Sequence, residues 1–295
     1  MEKWGRLVTA MATPFDIERK VNYHGARQLA QKLEKEGSSA LVIAGTTGES
    51  PTLTVPEKLE LLKCVKKAVN IPIIANVGSN NTEASVDLTL KVKELGIDGV
   101  MVVVPYYNKP NKKGILAHFK AIAEAAQLPV LAYNVPGRTG TNLDLETLLA
   151  LTEIPNIVAL KEATNEFEKI SLLIKETPAN FSIYTGEDAL TLPVMSIGGY
   201  GVISVAAHLV GREMKKMIEC YLQGQVAEAQ KIHLNLSPIY KNLFLTANPI
   251  PLKAALKIIG FDAGPLRLPL VEAEEFIIEK LKKSLRDLSL LEEAN

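Results

Sequence analysis

Lys161 follows directly on the apolar run Ile157-Val158-Ala159-Leu160, so a buried strand delivers a primary amine at its carboxyl end. If that side chain turns inward, loss of hydration disfavours the ammonium form and can lower a lysine pKa by several units from about 10.4. A free amine so sheltered attacks ketones, and the chemistry it offers is Schiff-base capture of a carbonyl compound. The competing reading is a lysine that emerges from a strand end into solvent. A second run, Val130-Leu131-Ala132, ends in Tyr133, and neighbouring strands lie about 5 Å apart, so its phenol can reach an adduct on Lys161. A phenol with a pKa near 10 is a poor base in water, yet linked to other hydroxyls it can pass protons during imine formation and carbon bond making. Thr46 and Tyr107 can supply those hydroxyls. The alternative for Tyr133 is a core tyrosine with a satisfied hydroxyl.

Anion-binding groups stand at other strand ends. Gly45-Thr46-Thr47-Gly48-Glu49-Ser50 sets two hydroxyl residues between glycines, so backbone amides can turn towards a carboxylate; it also reads as a plain tight strand-to-helix connection. Arg138 follows a Pro-Gly turn and offers a fork of donors suited to a second carboxylate, although isolated loop arginines are often only solvated. Asn248-Pro249-Ile250-Pro251 before Leu252-Lys253-Ala254-Ala255 reads as a helix start with a structural role. The Gly198-Gly199-Tyr200-Gly201 run precedes its strand and no glycine-rich cradle follows the last two strands, which disfavours phosphorylated substrates. His24, His118, His208 and His233 have no metal-ligand spacing, so a metal-dependent aldolase gains no support.

The elements that must position these groups recur eight times. Short apolar runs at Leu7–Ala12, Ala40–Ala44, Ile71–Val77, Gly99–Val104, Val130–Tyr133, Ile157–Lys161, Phe181–Tyr184 and Gly201–Val205 each end in small or polar residues, with a helical pattern after them. Continuous apolar runs indicate strands covered on both faces, as in parallel sheets. Thr54-Val55-Pro56-Glu57 fits a capping box, and Thr82 can cap a helix whose end is marked by Gly96. Eight such units make an α/β fold, a (β/α)8 barrel, whose active site belongs at the carboxyl ends of the strands, where Gly186-Glu187-Asp188 also falls. Beyond Val205 only helices are predicted, over 213–222, 226–245, 252–259 and 271–290. Residues 1–224 are therefore assigned to the barrel and 225–295 to a C-terminal helical domain.

Composition is that of an ordinary globular chain. The 295 residues suit one barrel of about 250 residues plus an appendage. Lys plus Arg equals Asp plus Glu at 33 each, with no basic stripe, so small molecules are expected as partners and nucleic acid is not. Cys64 and Cys220, far apart, read as reduced thiols of a cytoplasmic protein. No apolar stretch approaches the roughly 18 residues of a membrane span, and the start does not read as a signal peptide.

Taken together, Gly45-Thr46-Thr47-Gly48-Glu49-Ser50, Tyr106-Tyr107-Asn108, Tyr133-Asn134-Val135-Pro136-Gly137-Arg138-Thr139-Gly140 and Lys161-Glu162-Ala163 closely resemble the dihydrodipicolinate synthase family, within the pyruvate-dependent aldolase and N-acetylneuraminate lyase superfamily. Asn248-Pro249-Ile250-Pro251 and Gly201-Val202-Ile203 match as well, and the likeness spans essentially the whole chain. The resemblance implies that Lys161 forms an imine with pyruvate, with no separate cofactor, and that the derived enamine attacks L-aspartate 4-semialdehyde. Closure by the semialdehyde amine then frees the lysine and gives 4-hydroxy-tetrahydrodipicolinate, on the diaminopimelate route to L-lysine. It further implies a proton relay of Tyr133, Thr46 and Tyr107, with Tyr107 reaching in from a neighbouring subunit of a homotetramer. Thr47 and the Ile203 backbone would hold pyruvate, Gly186 would belong to the substrate-binding residues, and Arg138 would orient the semialdehyde carboxylate.

Two other functions compete. A sister lyase, such as N-acetylneuraminate lyase or a sugar-acid aldolase, shares the lysine, the tyrosine and the Gly-Thr loop, but usually lacks the arginine in that turn and the paired Tyr106-Tyr107. A non-catalytic keto-acid sensor on the same fold is the other, since fold alone does not settle function; the joint presence of the amine and three relay hydroxyls argues against it.

The resemblance also carries a departure. Lysine-inhibited members have histidines where this chain has Val55 and Lys58, a glutamate where it has Ala84, and a small flexible residue where it has Pro51. Without that carboxylate the effector's amine loses a partner, and Lys58 adds a like charge. Free lysine is therefore expected to inhibit weakly or not at all in a steady-state titration; a low-micromolar constant, about 8 kcal/mol of binding, would contradict this.

Overall fold

The computed structural model describes residues 4–291. Eight strands, β1 (Leu7–Ala10), β2 (Ala40–Ile43), β3 (Ile73–Asn76), β4 (Gly99–Val103), β5 (Val130–Asn134), β6 (Ile157–Glu162), β7 (Ser182–Thr185) and β8 (Gly201–Ser204), follow one another in order around a closed parallel sheet. Between and after them run α1 (Tyr23–Lys35), α2 (Val55–Lys66), α3 (Thr82–Lys93), α4 (Lys112–Ala126), α5 (Pro136–Thr139), α6 (Leu145–Thr152), α7 (Phe167–Glu176), α8 (Thr191–Ser196), α9 (Ala207–Leu222), α10 (Val226–Asn242), α11 (Ile250–Ile258) and α12 (Glu275–Asp287). The fold is a (β/α)8 barrel with C-terminal helices. Each of the eight expected strands is present, trimmed or extended by a residue or two at its ends. Their apolar side chains are buried almost throughout, which is why they read as unbroken apolar runs rather than alternating ones.

The chain divides into two compact units: the stretch up to Val8 with Pro72–Ile203, and Thr9–Ile71 with everything from Ser204 onward. In the first, β3 to β8 pair in parallel, and Asp98 anchors the start of β3 by accepting from the Ile73 amide at 2.8 Å. Gly99 is required where it stands, since a Cβ there would lie 2.6 Å from the Trp4 ring. The cap of α3 differs from expectation. Asn81, not Thr82, is the N-cap, its carboxamide oxygen accepting from the Ala84 amide at 3.1 Å, while the Thr82 hydroxyl lies 2.9 Å from His118 Nδ1. Asparagine reaches the amide three residues on from extended backbone, and the threonine one step later is already helical and free to serve His118.

In the second unit the capping box of α2 forms as expected, Thr54 and Glu57 bonding each other's backbone. Arg267 grips the same glutamate, and that guanidinium, ahead of the cap bonds, holds the Glu57 carboxyl down at about 2. The helix α9 starts at Ala207, six residues ahead of the expected Glu213, because a bend at Val210 joins a short first turn to the main helix. Cys64 and Cys220 are free and buried.

His208, also on α9, is fully buried and fixed in one tautomer by its partners: Nε2 accepts from the Ala12 amide at 3.1 Å and Nδ1 donates to the Val205 carbonyl at 2.8 Å. A proton on Nε2 would destroy the first of these bonds. Burial accordingly holds the His208 pKa down at about 4. Between about pH 6.5 and 4 the unfolded chain binds a proton that the fold refuses, so stability falls as pH drops through that window, by up to about 1.4 kcal/mol per unit. Chemical unfolding at stepped pH should therefore show a shallower acid decline for His208→Gln than for the wild type. Identical slopes would mean that His208 takes up its proton inside the folded protein.

Candidate active site

The first unit brings Lys161 and Tyr133 side by side. They are direct register partners on β6 and β5, and in a parallel sheet paired residues share a face. Both are buried, at 6% and 5% exposure, and Lys161 Nζ lies 4.3 Å from the centre of the Tyr133 ring. The sheet thus leads the amine inward against an aromatic hydroxyl residue, and Lys161 does not emerge into solvent.

Gly186, just past β7, closes against the same amine stem. A Cβ built there would stand 2.7 Å from the Ala163 Cβ and 3.0 Å from Lys161 Cε, so the lysine occupies space that only a glycine leaves open. The Gly186 amide donates to the Glu162 carbonyl at 2.7 Å, which ties this turn to the end of β6. Ile203 lies buried on β8. Arg138 is exposed on the one-turn helix α5, and its charge reaches Glu187. Glu187 was not singled out from sequence. Burial raises its carboxyl pKa, neighbouring Asp188 adds to the rise, and the cations Lys161 and Arg138 oppose it. Tyr107 is not part of this cluster: it is 88% exposed, in left-handed backbone with φ of 73°.

The second unit holds the Gly-Thr loop. Thr46 is half-buried and Thr47 buried, and the Asn248 carboxamide donates to the Thr47 hydroxyl at 2.9 Å. Asn248 precedes α11, as its helix-start pattern predicts, and its side chain also bonds Thr47 directly. The next residues carry a surprise for sequence reading. Glu49, in left-handed backbone with φ of 55°, is fully buried and faces Lys253 Nζ at 2.7 Å, off the direction of a good hydrogen bond. Lys253 donates to the Pro265 carbonyl at 3.0 Å and lies 4.2 Å from the Phe15 ring centre, while the Arg267 amide donates to Glu49 Oε2 at 3.0 Å. Burial pushes the Lys253 ammonium pKa down and Glu49 is the main influence holding it up. Removing one partner from such a pair typically costs about 3–5 kcal/mol, because the other charge stays buried alone. Glu49 and Lys253 lie too far apart in sequence for any local pattern to have paired them.

A (β/α)8 barrel that buries a lysine beside a tyrosine at the ends of adjacent strands has the parts of a Schiff-base lyase. Comparison with known proteins narrows the class. The sequence model of the Dihydrodipicolinate synthetase family matches residues 3–288. The 4-hydroxy-tetrahydrodipicolinate synthase of Moorella thermoacetica is 49% identical over 291 residues, which cover 98% of this chain and 100% of that protein. Among solved structures, dihydrodipicolinate synthase from Cyanidioschyzon merolae with lysine bound superposes with a TM-score of 0.97 at 46% identity, covering 99% of this chain and 100% of that one. The chloride-inhibited enzyme from Acinetobacter baumannii complexed with pyruvate gives 0.94 at 34% identity, over 98% and 100% of the two chains. This chain belongs to the dihydrodipicolinate synthetase family.

The Gly186 contact makes a sharp test. Gly186→Ala would set its Cβ against the Ala163 Cβ as well as the Lys161 stem, so the turn must shift and the lysine with it, and turnover should fall by about a hundredfold, as for an ångström-scale misplacement of a reacting group. Steady-state rates within about threefold of wild type would show that Lys161 has room the geometry denies it.

Proposed function

We propose that this chain condenses pyruvate with L-aspartate 4-semialdehyde to give 4-hydroxy-tetrahydrodipicolinate, on the diaminopimelate route to L-lysine. The observation that carries the reading is the buried Lys161 amine 4.3 Å from the Tyr133 ring, in a chain of this family. The Lys161 nitrogen adds to the pyruvate carbonyl carbon and water departs, leaving an imine that is a substrate adduct rather than a cofactor. Loss of a methyl proton gives an enamine, whose carbon attacks the semialdehyde carbonyl as that oxygen gains a proton. The semialdehyde amine then adds to the imine carbon and the lysine leaves. Every step moves a proton, and Tyr133 with Thr46 and Tyr107 forms the relay that carries it.

Thr47, Gly186 and the backbone of Ile203 hold pyruvate, and Arg138 orients the carboxylate of the second substrate. Three features support these roles. The Asn248 bond fixes the Thr47 hydroxyl, Gly186 abuts the Lys161 stem, and Arg138 is close enough to the β7 end to act on Glu187. We take the assembly to be a homotetramer, a dimer of dimers, as the family resemblance implies; the exposed phenol of Tyr107 is open to serve a neighbouring copy. Residues 1–224 form the catalytic barrel and 225–295 a helical domain. Among the described residues no helix is long and apolar enough to cross a membrane, and we read the protein as cytoplasmic.

Borohydride added with pyruvate should fix a three-carbon mass on Lys161, and Lys161→Ala should abolish both the label and product formation from the two substrates, followed spectroscopically. Turnover without a trapped adduct would overturn the Schiff-base route; trapping without turnover on aspartate semialdehyde would leave a keto-acid binder or a sister lyase instead.

A further inference from the structure

A one-residue slip decides which side chain faces Lys161. β5 and β6 pair Val130 with Ile157 but then Leu131 with Ala159, so Val158 is passed over. Had the first register continued, Tyr133 would stand opposite Leu160, and Asn134 opposite Lys161. Because successive strand side chains alternate between faces, that change would put a carboxamide beside the amine in place of the phenol. Such irregularities recur next to active sites, where they re-aim a side chain.

The slipped register is held by polar groups on the other face. Asn134 and Glu162, the next pair along, are both fully buried, and the Asn134 carboxamide donates to both Glu162 oxygens at 3.0 Å. The same nitrogen donates to Asn142 Oδ1 at 3.0 Å, where Lys169 Nζ also donates at 3.0 Å, and the Leu143 amide donates to Asn134 Oδ1 at 3.3 Å. Backbone bonds clamp the strand end from both sides: the Ala163 amide donates to the Asn134 carbonyl and the Gly186 amide to the Glu162 carbonyl. Burying a carboxylate costs free energy unless it is paired and hydrogen-bonded, so a buried one is found where a specific set of partners offsets the cost. Burial raises the Glu162 carboxyl pKa, and Asn134 is the largest influence against that rise. The reaction described above gives Glu162 no step.

We propose that Asn134 and Glu162 are positioning residues, a register lock that holds Tyr133 opposite Lys161 by fixing how β5 pairs with β6. This rests on Lys161 and Tyr133 being the reacting pair. The lock acts only when contact is made in the slipped register: one residue out, Asn134 would meet Lys161 and Glu162 would have no carboxamide across from it.

The test counts active sites. Wild type, Glu162→Leu, Asn134→Val and Glu162→Gln are each trapped with pyruvate and borohydride, and turnover is expressed per labelled Lys161. The Leu and Val variants should lose about a hundredfold in turnover per trapped site, with the pyruvate KM moved by less than about threefold. Glu162→Gln keeps an oxygen to accept from Asn134 and should restore at least about a third of wild-type turnover. A merely structural role would lower the melting temperature and the yield of trappable protein while leaving turnover per trapped site at the wild-type value, and that result overturns the lock. Equal loss in the Gln variant overturns it too, since charge rather than contact would then matter. If Glu162→Leu does not fold, Asn134→Val, whose branched side chain suits a strand, decides alone. Absence of trapping in the wild type would sink the Lys161 reading itself, an outcome distinct from any of these.

Discussion

The alignment of β5 with β6 is the constraint from which the site follows. A lysine at a strand end is unremarkable chemistry until a second group is brought within reach of its nitrogen, and in a parallel sheet that reach is set by register alone. Tyr133 and Lys161 are partners across one ladder, and Asn134 and Glu162 are partners at the next rung on the opposite face. One face thus holds an amine beside a phenol and the other a carboxylate beside a carboxamide. Shifting the pairing by a residue breaks both pairs at once, so the outer pair and the inner pair stand or fall together.

Charge burial recurs wherever these strand ends must be held still. Glu162 in the first unit and Glu49 in the second are both fully buried carboxylates in or just beyond a strand. Each is answered differently. Glu162 receives a neutral carboxamide and keeps a raised pKa, whereas Glu49 faces the Lys253 ammonium directly. The second arrangement also fixes the left-handed turn at Glu49, which directs the chain out of the Gly-Thr loop, with Asn248 holding Thr47 two residues earlier. Polar groups inside a protein cost more when half-satisfied than apolar ones would, so these clusters favour one loop geometry over its neighbours.

Family membership and local chemistry support each other here without being the same observation. The family model matches residues 3–288 and the relatives cover nearly the full length, so membership concerns the whole barrel together with its C-terminal helices. The local chemistry is read from this chain itself: Asn134 and Glu162 lie fully buried at the rung beyond Tyr133 and Lys161.

The strands were legible because each is a continuous apolar run, which depends only on residues adjacent in sequence; Lys161 and Tyr133 could be named because they end such runs, whereas Thr47 and Gly186 lie beyond the runs and took their roles from the family resemblance. Caps were less secure: Asn81 and Thr82 both suit the start of α3, and only the pull of His118 on the threonine separates them. Asn248 carried a helix-start pattern that concealed its bond to Thr47, and Glu49 with Lys253, like the slip at Val158, left no local trace at all. Periodicity and end signals are short-range properties that a linear chain displays by itself. Which buried charge meets which partner, and which rung of one strand faces which rung of the next, is fixed by packing between segments distant in sequence, and so was decided only in the folded structure.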